Sequence, residues 1–122
     1  MAVDPTGTSI RLFIADDPDA PVVMLNLLRF ADGGRASYAR YAQALQDGIL
    51  ARHGGRVLYA GDGGDALVAE TGQDWDAVLI VQYPSRAAFG RMVADPEYQQ
   101  VAHLRAEALS EAVLQPTRPW GR

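Results

Sequence analysis

One stretch, Trp75 to Tyr98, constrains the fold of this chain more than any other. WDAVLIVQYP is an apolar run of strand length, and its alternation leaves both faces largely apolar: Ala77, Leu79 and Val81 against Val78, Ile80 and Gln82. Pro84-Ser85 turns this strand directly into a helix. Ser85 is placed as its N-cap, and Phe89, Met92 and Val93 form its apolar face. Asp95-Pro96 ends that helix, because proline supplies no backbone donor and disfavours helical geometry in the residue before it.

The same reading extends along the chain. Val22 to Phe30, VVMLNLLRF, has the near-continuous hydrophobicity of a central strand covered on both faces. After Gly33-Gly34, the apolar positions Tyr38, Tyr41, Ala42, Leu45 and Ile49 make a helical stripe that Gly54-Gly55 closes. Arg56 to Ala60 reads as a second strand. The GDGG at Gly61 leads into an expected extra strand at Ala66 to Glu70, so it is a hairpin loop and lacks the helix N-terminus that phosphate loops use. A helix from Glu97 to about Ser110 carries the stripe Tyr98, Val101, Ala102, Arg105, Ala108 and Leu109, and a strand-like AVLQ follows before Pro116 and Pro119 end regular structure.

The order is βαββαβ, which predicts an α+β, ferredoxin-like domain: an antiparallel sheet with helices on one face. Residues 1–20 read as an N-terminal extension and 21–118 as the single domain. In the first strand Val23, Leu25 and Leu27 oppose Val22, Met24, Asn26 and Leu28, again apolar on both sides. A sheet with helices on one face only would expose the other, so a homodimer formed by sheet-on-sheet packing is expected.

Composition removes several function classes. With 122 residues the chain buries roughly two-thirds of its unfolded surface without staples. It has no cysteine, which excludes disulfides, thiolate metal sites and cysteine nucleophiles. All eleven basic residues are arginine, so no side-chain amine is available for Schiff-base chemistry. A net charge of −4 with no basic run argues against nucleic-acid binding. No segment approaches the roughly 20 apolar residues of a membrane span, and the N-terminus has no basic-then-apolar leader, which predicts a cytoplasmic protein without a membrane partner.

Asn26-Leu27-Leu28-Arg29-Phe30, the GRASYARY of Gly34 to Tyr41, Gly54-Gly55-Arg56-Val57, Trp75-Asp76, Tyr83-Pro84-Ser85, Asp95-Pro96-Glu97-Tyr98 and Arg105, in this order and spacing, resemble domain-of-unknown-function family 1330 (DUF1330) over about residues 8 to 118. The resemblance implies a dimeric α/β barrel. That group includes cofactor-independent monooxygenases, muconolactone isomerases, haem-dependent peroxidases and proteins without demonstrated activity, so it implies no particular reaction.

Candidate residues follow from side-chain chemistry. Asn26 and Gln82 are expected on the barrel-facing side of adjacent strands, where two amides orient a ligand by hydrogen bonds or else bond each other, water or the partner subunit. Arg105 interrupts an apolar stripe, either to clamp an anion or to pair with a carboxylate such as Glu107, Asp95 or Asp76. If the helices lie opposite the barrel interior, Arg105 and Asn26 share a pocket only when the helix after Pro96 swings to the rim. Tyr38 and Tyr41 read as core. Tyr83 and Tyr98, and His103 off its helix's apolar stripe, are the candidates for proton transfer. Tyr59 shares the ambiguity of Tyr83 and Tyr98, and His53 suits the end of its helix. Asp74 and Asp76 point alternately and make a weak catalytic pair. Two histidines without a ligand motif predict no metal site and no cofactor.

The expected function is a homodimer that binds a small organic metabolite in an apolar cavity. If it is an enzyme, the chemistry is cofactor-independent and oxygenase- or isomerase-like; the alternative is a non-catalytic ligand-binding or structural dimer.

Overall fold

Four antiparallel strands in the order β2-β3-β1-β4 form a single sheet. The computed structural model describes residues 3–121. The strands are β1 (Val22–Phe30), β2 (Arg56–Asp62), β3 (Ala77–Tyr83) and β4 (Leu109–Thr117). Between them lie α2 (Gly34–Ala44), which continues through a π-helical turn at Leu45–Ile49 into α3 (Leu50–Arg52), and the pair α4 (Arg86–Ala94) and α5 (Pro96–Ala108). This is the expected ferredoxin-like α+β arrangement, preceded by a helix, α1 (Gly7–Asp16).

The helices cover one face of the sheet. Val22, Met24 and Leu28 of β1 and Ala77, Val81 and Tyr83 of β3 point beneath them and are buried. The register sets Asn26 beside Leu79, and Val23 beside Gln82. Asn26 therefore faces the helices and Gln82 the uncovered side, which corrects the expectation that the two amides share a face. The uncovered side carries Val23, Leu25 and Leu27 together with Val78, Ile80 and Val113, all half-buried.

Local chemistry accounts for the helix boundaries. Ser85 caps α4 by accepting from the Ala88 amide at 3.0 Å. Asp95 follows with extended backbone and caps α5 through the Glu97 amide at 2.9 Å, with Pro96 in the first turn, where its missing donor costs nothing. His53, at the end of α3, holds the same carboxylate at 2.8 Å. Thr6 and Ser9 form a reciprocal capping box at the start of α1, which docks on α4 through the edge-on pair Phe13 and Phe89. Gly34 lies so close to the Ala108 backbone that a β-carbon there would collide with its carbonyl, which lets α2 approach the end of α5.

Two boundaries differ from the sequence reading. Ala66 to Glu70 is not a strand. The Gly63 amide bonds the Asp76 carbonyl at 2.9 Å, so the intervening residues form a closed excursion whose Leu67 and Val68 are fully exposed and have no strand to pair with. Arg29 anchors its far end, stacking on Trp75 and donating to the carbonyls of Gly72 and Asp74. In contrast, β4 runs through Pro116, because it is an edge strand and a proline there forfeits only an unneeded donor.

Candidate functional site

Between the sheet and the helices lies a cavity of about 350 Å³. Its sheet side is formed by Asn26, Leu79, Val81 and Leu114. Tyr38 and Tyr41 enter from α2, Tyr98 and Arg105 from α5, and Tyr83 from the end of β3. Asp4 and Pro5, in the segment ahead of α1, complete the wall.

The tyrosines are linked. Tyr41 and Tyr98 share a hydroxyl–hydroxyl hydrogen bond of 3.0 Å, and their rings meet edge-on. Tyr38 packs against Tyr41 with ring centroids 5.4 Å apart. Tyr83 reaches only the Met92 sulfur, at 3.9 Å. Burial, which disfavours a phenolate, raises the pKa of Tyr38, Tyr41 and Tyr83 above the ordinary tyrosine value; for all three the positive charge of Arg105 partly opposes this. These phenols are neutral near pH 7 and act there as hydrogen-bond donors rather than bases.

Arg105 is the one buried charged side chain among the described residues, only 5% exposed. Its Nη1 donates to Asp4 Oδ1 at 2.7 Å and to the Val3 carbonyl, whereas its Nη2 is buried without a partner among the described residues. None of the carboxylates considered from the sequence, Glu107, Asp95 or Asp76, is its partner. The Asn26 amide has a single long contact, from Nδ2 to the Met24 carbonyl at 3.4 Å, leaving its oxygen free to accept.

The fold thus brings Asn26, Arg105, Tyr83 and Tyr98 to one cavity. No swing of α5 is needed, because Asn26 lies on the helix side of the sheet. Gln82 stands apart on the uncovered face, accepting from Arg56 at 3.0 Å. His103 is exposed on α5 beside Glu107, outside the cavity. Tyr38 and Tyr41 line the cavity as well as packing α2. Their signal in the sequence was a tyrosine pair on a helical stripe facing a second stripe that contains an arginine. Nothing in the sequence pointed to Asp4. Among the described residues no group of three His, Asp or Glu side chains converges as a metal site, and no helix is long and apolar enough to cross a membrane.

Fold and cavity together define a ferredoxin-like α+β protein with a cavity between helices and sheet. The chain belongs to the family described as domain of unknown function DUF1330, whose model matches residues 28–115. Among solved structures it is similar to a protein of unknown function from Rhodopseudomonas palustris, with 31% identity, 98% of each chain covered and a TM-score of 0.87. At fold level it is similar to a protein from Bacteroides thetaiotaomicron provisionally described as an antibiotic biosynthesis monooxygenase, with 18% identity, 82% of this chain and 90% of that one covered and a TM-score of 0.59. It is likewise similar to a dimeric ferredoxin-like protein of unknown function from Jannaschia, with 12% identity, 82% and 100% covered and a TM-score of 0.61. No curated protein matches the chain.

Proposed function

We propose that this chain is one subunit of a homodimer and that each subunit binds a small, mainly apolar organic metabolite in the cavity between sheet and helices. The observation that carries the reading is the cavity itself. Leu79, Val81 and Leu114 offer an apolar surface, while Asn26, the Tyr41–Tyr98 pair and Arg105 converge on it with polar groups, the usual composition of a ligand site. The test is a titration with naphthol, a neutral aromatic probe, followed by NMR. Shifts of the Asn26 side-chain amide and the Tyr98 ring support the reading, and an unperturbed cavity after saturating probe refutes it.

Dimerisation through the uncovered sheet face is supported by its apolar residues, Val23, Leu25, Leu27, Val78, Ile80 and Val113, and by the dimeric ferredoxin-like neighbour. Light scattering should give twice the chain mass, and Ile80→Glu should give a monomer. A wild-type monomer at micromolar concentration would sink the dimer.

Arg105 favours a second, enzymatic reading: cofactor-independent oxygenase- or isomerase-like chemistry in which its charge stabilises an enolate or phenolate and a phenol moves the proton. Tyr98 suits that role better than Tyr83, because its hydroxyl already exchanges a hydrogen bond with Tyr41. Loss of turnover in Arg105→Ala and Tyr98→Phe with the fold intact would support the enzyme. Undiminished turnover would remove Arg105 and Tyr98 from the chemistry, and absence of turnover in the wild type would leave a non-catalytic binding dimer.

A further inference from the structure

We propose that the ligand of this cavity carries a carboxylate, that Arg105 anchors it, and that Asp4 occupies the anchor in its absence. The inference rests on the ligand-cavity reading above and adds the chemical class of the ligand.

Among the described residues, Arg105 and Asp4 are the only charged ones lining the cavity. A guanidinium presents five donors in a planar fork that matches a carboxylate through two nitrogens at once. Here the fork is half used. Both the Asp4 carboxylate and the Val3 carbonyl bond Nη1, and Nη2 is shut away from solvent with no acceptor among the described residues. Burying a donor without a partner is costly, and such groups are rare unless the site is built for something else.

The two ends of this ion pair are also unequal. The Arg105 side chain is 6% exposed and that of Asp4 53%. Asp4 therefore keeps much of its hydration while bonded and loses little by leaving, so the cost of parting falls on the buried Arg105 and a ligand carboxylate would offset it. Asp4 belongs to a short strap, Val3 to Pro5, that crosses the cavity wall before α1 begins at Gly7. If the strap shifts, Nη1 loses both of its acceptors and a ligand carboxylate can take their place while Asp4 returns to water.

The remaining walls fit the rest of such a ligand. Tyr38, Tyr41 and Tyr98 offer hydroxyl groups and Asn26 a free acceptor oxygen, so among the described lining residues no carboxylate other than Asp4 opposes a carboxylate ligand. The apolar sheet surface and the tyrosine rings accept an aromatic or branched aliphatic body within about 350 Å³. The ligand class is thus a small aromatic or branched carboxylic acid.

The test compares benzoate, phenylacetate and naphthoate with their amides, binding to the full chain and to Asp4→Ala by calorimetry. At least one acid should bind the wild type about tenfold or more tightly than its amide, the size expected of a charge-assisted pair. In Asp4→Ala that acid-to-amide ratio should rise severalfold, because the internal competitor is gone, and Arg105→Gln should abolish the preference. Should Arg105→Gln fail to fold, the Asp4→Ala ratio decides alone. Equal binding of acids and amides, or a ratio unchanged or lowered in Asp4→Ala, overturns the proposal while the cavity reading stands. Failure of every acid, amide and neutral naphthol to bind either protein overturns both.

Discussion

Gly48 sits inside the π-helical turn with φ 144° and ψ −22°, a backbone region closed to residues with a β-carbon. The turn inserts its extra residue where Leu45, Gln46 and Leu50 meet the cavity, so the strain is located at the site. Gly48→Ala has open space around it, and the conformational cost alone should destabilise the protein by about 1–3 kcal/mol, read as a lower urea midpoint with unchanged slope. The buried phenols give a second expectation. Because the folded-state pKa values of Tyr38, Tyr41 and Tyr83 are raised, stability is fully present below the ordinary tyrosine value of about 10 and declines as pH climbs from there toward the folded values. Phenolate absorbance from these residues should appear together with alkaline unfolding; ionisation well ahead of unfolding would contradict their burial. Side-chain chemistry alone singled out Asn26, Arg105, Tyr83 and Tyr98, all of which line the cavity. Their common location could not be read, because a strand apolar on both faces gives no sign of which pleat meets the helices, and Asn26, expected opposite the helices with Gln82, was misplaced for the same reason.

Secondary elements were legible wherever a local rule sufficed. Pro84-Ser85 and Asp95-Pro96 mark the helix joints because capping and proline sterics act over two or three residues. The excursion between Gly63 and Asp76 was misread because Ala66 to Glu70 has strand-like composition, and only the backbone bond closing the loop shows that no strand partner is in reach. The joint at Asp95 is also electrostatic. Its carboxyl is held below the ordinary value chiefly by the hydrogen bond from His53, then by the Glu97 amide, with Arg52 assisting. A lowered folded-state pKa means that this contribution is present above the unfolded carboxylate value near 4 and is lost as pH falls through the folded value. Asp95→Asn retains a capping side chain and removes the charge. The stability gap between it and the wild type should therefore be constant near neutrality and close on acidification through that window; a gap independent of pH would show that the charge contributes nothing.

Across the whole molecule, the central strand β1 and the edge strand β4 pair segments from opposite ends of the chain, as where the Thr117 hydroxyl bonds the Val23 carbonyl 94 positions away. Such non-local pairing slows folding, since loop closure precedes the contacts that reward it. The bond between Asp4 and Arg105 spans 101 positions, yet it joins a strap to a helix already fixed by the sheet. It belongs to the late part of folding. Asp4→Ala should leave the refolding rate nearly unchanged and accelerate unfolding, the signature of a contact absent from the transition state; slowed refolding would place the strap in the nucleus instead. The cavity is then complete before it is roofed. If Asp4 leaves Arg105 as proposed, the cover opens on the native side of the folding barrier, without global unfolding.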